Sequence, residues 1–211
     1  MPIIAVDGPA ASGKGTIARA LGRHFGVPHL DTGALYRAVA LVAGREGVAL
    51  DDEPRLARIA HALDHNILAD PDIRARETAG GASLVSAIPG VRAALLAYQQ
   101  AFAGLPGGAV LDGRDIGTVI APDADAKLFI TARPDIRARR RFLELAGHGT
   151  RISEAAILAD IEARDARDSG RTSAPLAMAG DADLLDTSDF SIGAAVERAI
   201  ALVQARLDRA A

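Results

Sequence analysis

The segment with the most explicit chemistry is Gly8-Pro9-Ala10-Ala11-Ser12-Gly13-Lys14-Gly15-Thr16. Its spacing is G-x-x-x-x-G-K, the core of a phosphate-binding P-loop, with Gly-Thr after the lysine instead of Ser or Thr directly. Glycines let the backbone fold so that successive N–H groups point inward at an anion. A helix that follows contributes the positive end of its dipole. Lys14 supplies an ammonium that neutralises the β- and γ-phosphates of a nucleoside triphosphate as charge moves during transfer. Apart from Lys14 and Lys127, every Lys/Arg position in the chain is arginine, so position 14 retains a compact ammonium where the rest of the sequence uses the planar fork. Thr16 stands one residue late to offer its hydroxyl to Mg²⁺ as the Ser or Thr of a G-K-[ST] loop does. Neither lysine sits in an Asn-Lys-x-Asp string, which disfavours a GTPase.

A second group of chemically capable residues is arginine-rich. It is spread over Leu30-Asp31-Thr32-Gly33-Ala34-Leu35-Tyr36-Arg37, Asp112-Gly113-Arg114-Asp115-Ile116-Gly117-Thr118 and Arg164-Asp165-Ala166-Arg167-Asp168-Ser169-Gly170-Arg171. Bringing two phosphorylated substrates together requires cations that keep their charge and bind phosphate in a fixed geometry, which guanidinium does. Arg164, Asp168 and Arg171 are spaced i, i+4 and i+7, so one helical face can present all three. Arg139, Arg140 and Arg141 are neighbours and cannot share a face, so a solvated helix surface competes with a phosphate role there. Arg37 and Arg114 follow apolar runs that read as strands, a place where ligands meet α/β sheets. Asp112 is either a carboxylate on the phosphate or Mg²⁺ side or a strand-end cap. The five histidines lack ligand spacing and read as surface or packing residues; no metal ligand set is legible.

The elements that must position these residues are also legible. Residues 3–7, 109–112, 126–131 and 182–186, with a shorter run at 28–31, are apolar stretches of strand length, each ending in polar residues. Helical stripes lie between them: Ile17, Leu21 and Phe25; Leu56, Ile59 and Leu63 after Pro54; Val91, Leu95, Tyr98 and Phe102; Ile136, Arg139 and Phe142 after Pro134; Ile157 and Ile161 after Ser153; and Ile192 through Leu207 after Ser191. Strands alternating with helices predict an α/β fold of three layers around a central parallel five-stranded sheet. Residues 64–90 are polar and Gly-rich without clean periodicity, and 137–171 are crowded with arginine; both read as inserts rather than core.

Composition sets outer bounds. The 211 residues suffice for one domain with small inserts, and no apolar run approaches the ~18 residues of a membrane span. Net charge is −3, which argues against a nucleic-acid binder. The chain has no cysteine, which excludes disulfides and Cys-ligated metals, and no basic segment precedes the opening apolar run, so a signal peptide is not expected. A soluble cytoplasmic enzyme fits these bounds.

Together with the P-loop, the strings Leu-Asp-Thr-Gly-Ala-Leu-Tyr-Arg and Asp-Gly-Arg-Asp-Ile-Gly-Thr, the segment Ala82-Ser83-Leu84-Val85-Ser86-Ala87-Ile88-Pro89 leading to Val91-Arg92, and the arginine-rich 164–171 string resemble bacterial-type cytidylate kinases, within the P-loop nucleoside monophosphate kinases. The resemblance runs from residue 3 to about 190. It implies a core of about residues 1–35, 105–132 and 172–211, a small monophosphate-binding insert of about 36–104 and a lid of about 133–171. It implies transfer of the γ-phosphoryl group of ATP to CMP, and to dCMP, with Mg²⁺, by a monomer with no nucleic-acid or membrane partner. Residue by residue, it places Gly8 to Thr16 on ATP and gives Lys14, Arg114, Arg164 and Arg171 the catalytic charge. Arg37, Arg114 and Arg171 would hold the acceptor phosphate, with Asp112 nearby. Ser83, Arg164 and Asp168 would meet the sugar, and Thr32, Arg92 and Asp115 the base. Arg133, Arg137, Arg139, Arg164 and Arg167 would close on ATP. The chain departs from the family in a short 64–82 segment and in Ala75, Thr78 and Leu84, the last standing where a lysine is common. The alternatives are a P-loop kinase for another small acceptor and a nucleotide-binding regulator without turnover.

Overall fold

In a computed structural model of the chain, described for residues 1–147 and 152–210, the five apolar runs form one sheet. The strands are β1 (Ile3–Asp7), β2 (His29–Asp31), β3 (Ala109–Gly113), β4 (Ala126–Thr131) and β5 (Asp183–Asp186), in the order β2-β3-β1-β4-β5. β1 pairs in parallel with β3 on one side and β4 on the other, and β4 pairs in parallel with β5. The order reverses beside β1, so the carboxyl ends of β1 and β3 border the crevice where open α/β sheets bind ligands. The register sets Asp7 opposite Gly113 and Val6 opposite Asp112.

The chain divides into two compact units, Met1–Leu30 with Ala103–Ala211, and Asp31–Phe102. In the first, α1 (Lys14–Phe25) and α8 (Ile192–Ala210) cover one sheet face. Ile4, Val6, Val110, Leu128 and Ile130 from the strands meet Ile17, Leu21, Ala199 and Val203 from the helices, all essentially buried. Ala5 and Leu111, which point to the opposite face, are also fully buried, as expected of a central parallel sheet. Two further helices, α6 (Pro134–Gly147) and α7 (Glu154–Ser169), close a small core of their own around Ala138, Ile157 and Ile161. Ser153 caps α7 by accepting from the Ala156 N–H at 3.2 Å.

The second unit holds α2 (Thr32–Arg45), α3 (Glu53–His61), two single 3₁₀ turns at 65–69 and 71–74, α4 (Arg76–Val85) and α5 (Pro89–Ala103). Asp31 caps α2 through the Ala34 N–H, and Asp52 with Pro54 starts α3. Although residues 64–90 are Gly-rich without clean periodicity, they include a regular helix. Gly80 and Gly81 belong to α4, which packs on α2 with Thr78, Ala82, Ser83 and Val85 buried. A Cβ on Gly81 would lie 3.1 Å from the Ala40 Cβ, so the small residue permits close helix approach instead of marking a loop.

Candidate active site

The P-loop joins β1 to α1, and its backbone is shaped by sterics. A Cβ on Gly8 would stand 2.0 Å from the Ile130 carbonyl oxygen, so only glycine fits where the loop leaves the sheet. Ala11 (φ 57°) and Gly13 (φ 89°) adopt left-handed conformations, the first unusual for a residue with a side chain. α1 begins at Lys14 without a side-chain cap, which leaves its first N–H groups facing the position where an anion binds. The loop's carbonyls are held by donors. Lys14 Nζ lies 3.3 Å from Pro9 O, Arg137 Nη1 is 3.1 Å from Ala10 O, and Thr187 Oγ1 is 3.1 Å from Ser12 O. Thr16, in the position after Gly15, has its hydroxyl 3.4 Å from Arg19 Nη2. A Cβ on Gly15 would be 3.7 Å from Asp112 Oδ2, so that carboxylate faces the position that carries the metal-binding hydroxyl in a G-K-[ST] loop. Asp112 is buried, and His29 Nε2 is 2.7 Å from its Oδ1, so this histidine has a hydrogen-bond partner beyond simple packing.

Beyond β3, three guanidinium groups surround one carboxylate. Asp168, 1% exposed, receives Arg114 Nε at 2.7 Å and Arg171 Nη2 at 2.5 Å, with Arg164 Nε at 3.9 Å. Burial alone would raise the Asp168 carboxyl, but Arg114, Arg171 and Arg164 outweigh it and hold it below the ordinary range. The cluster therefore keeps a net positive charge aimed by a fixed anion. One expectation changes: Arg171 is not on the helical face of Arg164 and Asp168. α7 ends at Ser169, Gly170 closes it, and Arg171 reaches back to the carboxylate from beyond the helix.

Asp7, at the carboxyl end of β1, was not singled out from sequence. Its two oxygens accept from the Ile116 and Gly117 N–H groups, each at 2.8 Å, and so fix the wide turn Ile116–Ile120 that follows Asp115. The available signal was a charged residue ending an otherwise apolar buried strand. Burial pushes the Asp7 carboxyl up to about 6; the neighbouring Asp115 adds to the rise, while the two amides and Arg114 oppose it.

The arginines of α6 and α7 separate by environment. Arg137 is buried, and bonds to Ala132 O, Ala10 O and Asp165. Arg139 is exposed and pairs with Glu154, Arg140 bonds Thr187, and Arg141 pairs with Glu144, so three sequence neighbours do take three directions. Arg133 pairs with Asp189, and Arg167 lies exposed in the last turn of α7.

In the second unit, Thr32 is buried as the first residue of α2, and Arg37 Nη2 is 2.7 Å from Asp31 Oδ2. Arg92 lies over the Tyr36 ring, 5.7 Å from its centroid, and Nη1 donates to Ser86 O at 3.3 Å. Ser83 is buried one turn before, its carbonyl accepting from Ser86 Oγ. Thr32 with Arg37, and Ser83 with Arg92, are thus gathered on neighbouring elements of this unit.

Asp7 and Asp168 respond oppositely to pH. Protonated Asp7 favours the fold: its contribution is complete below its ordinary value of 3.8 and is lost as pH rises through about 6. Asp168 contributes above its ordinary value, and that contribution is lost as pH falls through its lowered one. A carbon-13 NMR titration of the Asp7 carboxyl is expected to give a midpoint near 6. A midpoint near the ordinary 3.8 would contradict the burial described.

The family model described as cytidylate kinase matches residues 4–205. Curated relatives named cytidylate kinase include one from Bradyrhizobium sp. (strain ORS 278), 55% identical over 203 residues that cover 96% of both chains. Another, from Methylocella silvestris, is 53% identical over 206 residues, covering 98% of this chain and 95% of the relative. A third, from Xanthobacter autotrophicus, is 54% identical over 204 residues, covering 97% and 98%. Among solved structures, a gluconokinase from Sinorhizobium meliloti 1021 superposes with a TM-score of 0.56 at 15% identity, covering 99% of this chain and 95% of that one. An uncharacterized protein from Eubacterium ventriosum ATCC 27560 gives 0.57 at 16%, covering 97% and 99%. The structural likenesses speak to fold alone. With its P-loop, its guanidinium cluster and relatives similar over nearly their whole length, the chain belongs to the cytidylate kinase family.

Proposed function

We propose that the protein transfers the γ-phosphoryl group of ATP to CMP, giving ADP and CDP, and that it accepts dCMP as well. The observation that carries this reading is the pairing, within one unit, of an uncapped P-loop helix with a three-arginine cluster on a buried carboxylate. One set of donors suits the triphosphate and the other suits a second phosphate. A phosphate oxygen of CMP attacks the γ-phosphorus, and the bond to the β,γ-bridging oxygen breaks, leaving ADP. The attacking phosphate is an anion at neutral pH, so no side chain has to remove a proton. Catalysis is then alignment and charge stabilisation, by Gly8 to Thr16 and Lys14 on ATP and by Arg114, Arg164 and Arg171 around the transferring group. Arg37 supplements Arg114 and Arg171 on the acceptor phosphate, and Ser83 and Asp168 serve the sugar with Arg164. Thr32, Arg92 and Asp115 read the base.

Mg²⁺ enters with ATP and neutralises charge on its phosphates. No group of three acidic or histidine ligands is arranged for a metal among the described residues. The oxygen donor that fits is Asp112, whose Oδ2 faces Gly15, so phosphate oxygens and Asp112 are the groups assigned to hold the ion. Residues 133–171, of which 148–151 lie outside the described residues, act as a lid, with Arg139 and Arg167 meeting ATP. No single helix among the described residues is long and apolar enough to cross a membrane. We assign the protein to the cytoplasm as a monomer.

The direct test measures ADP release from ATP with CMP, dCMP, UMP and AMP in turn. Cytosine offers an amino donor to Asp115 and acceptors to Arg92; uracil reverses two of these pairings. Each mismatch leaves a buried polar group unpaired, so CMP should exceed UMP in kcat/KM by on the order of 10². Asp115→Asn should narrow that gap, because an amide can turn its NH₂ toward the uracil O4. Equal use of UMP by the wild type contradicts the substrate, and an unchanged gap in the variant removes Asp115 as the reader. Closure predicts amide-exchange protection across the described residues of 133–171 when a bisubstrate analogue binds. Protection confined to residues 8–16 contradicts the lid.

A further inference from the structure

A loop that turns its N–H groups toward an anion turns the carbonyls of the same peptides outward, where each needs a donor of its own. For the Ala10 carbonyl that donor is Arg137 Nη1, at 3.1 Å. Arg137 belongs to α6, is 3% exposed, and uses the rest of its fork elsewhere. Nε donates to Ala132 O at 2.9 Å, and Nη1 and Nη2 reach the two oxygens of Asp165 on α7 at 3.1 and 2.5 Å. The next loop residue, Ala11, is held at a positive φ despite its side chain, and it packs against the Ala138, Ile157 and Ile161 core of the α6–α7 pair. A left-handed residue of this kind persists only where its surroundings over-determine it. Here those surroundings are one buried guanidinium and the small core beside it.

We propose that Arg137 is a positioning residue for ATP: it holds the Ala10 carbonyl outward and the Asp165 carboxylate at the same time, and so fixes the phosphate loop in its anion-binding shape and ties it to the helix that carries Arg164 and Arg167. It acts through the loop and not by contact with the nucleotide. Thr187, whose hydroxyl meets Ser12 O and also receives Arg140, braces the next turn of the same loop. The role asks for a planar fork, since a lysine ammonium on one stem cannot span Ala132 O, Ala10 O and Asp165 together.

This inference rests on the loop's binding ATP, and the experiment separates the two. Wild type, Arg137→Met, Arg137→Lys and Asp165→Asn are compared by steady-state kinetics in both substrates, thermal melts, and amide exchange over residues 8–16 with and without ATP. In Arg137→Met, KM for ATP should rise about tenfold or more, because the outward carbonyl loses its partner and the loop its fixed shape. KM for CMP should stay within about twofold. Exchange over 8–16 should quicken in the free enzyme and be restored by saturating ATP. Arg137→Lys should recover part of the ATP affinity through one donor, which keeps the test usable if the methionine variant fails to fold. Asp165→Asn should weaken ATP less, because the Ala10 bond remains. Wild-type KM for ATP and wild-type exchange in a folded Arg137→Met, or in Arg137→Lys, would overturn the proposal. So would equal rises in both KM values with faster exchange throughout the first unit, the pattern of a merely structural residue. If ATP fails to protect residues 8–16 in the wild type, the phosphate-loop reading falls, and this inference with it.

Discussion

The structure depends on one backbone constraint: peptides that aim N–H groups at a phosphate must aim their carbonyls away from it. Gly8 meets the constraint by sterics, since the Ile130 carbonyl leaves no room for a side chain. Ala11 and Gly13 meet it with left-handed dihedrals. The outward carbonyls meet it with Lys14, Arg137 and Thr187, which come from α1, α6 and the segment after β5. An anion site of this kind is prepared by the whole first unit. Its stability derives from the apolar strand core beneath, where Ile4, Val6, Leu128 and Ile130 are buried to the last few per cent. Preorganisation of this sort matters for catalysis because donors already in place need not reorganise as charge moves.

Charge is arranged by the same logic. Asp7, at the end of β1, and Asp168, near the end of α7, are both buried and do opposite work. Asp168 is ionised because three guanidinium groups outweigh its burial, and in return it aims Arg114 and Arg171. Asp7 has amides as its hydrogen-bond partners and lies beside another acid, so its burial dominates; it shapes the backbone after Asp115 without supplying a surplus of charge. A buried ion pair is poor evidence of stability in itself. Here the pairs are better understood as holding cations that phosphate will need.

Much of this was legible in the sequence where the signal is local. The P-loop announces itself in nine consecutive residues, and the five strands in short apolar runs. What was not legible depends on distant partners. Asp7 acquires its role from Ile116 and Gly117, 109 and 110 positions away, and the loop carbonyls from Arg137 and Thr187, 127 and 175 away. Glycine misled over residues 76–85, because in isolation it lowers helix propensity, whereas Gly81 is there to admit Ala40. The spacing of Arg164, Asp168 and Arg171 suggested a continuous helix; the carboxylate gathers the arginines even though the helix stops first. Side chains that meet an anion can be guessed from their type, but those that hold the backbone in place depend on the tertiary fold.

The central claim is that charge placed in advance by the phosphate loop drives transfer to CMP, and Lys14 is its simplest probe. Phosphorus-31 NMR of ATP and CMP mixtures, run beside a thermal melt, should show the wild type producing ADP and CDP in step. Folded Lys14→Ala should be slower by about 10²–10³ or more. A folded Lys14→Ala variant that forms CDP at a near-normal rate would contradict the account.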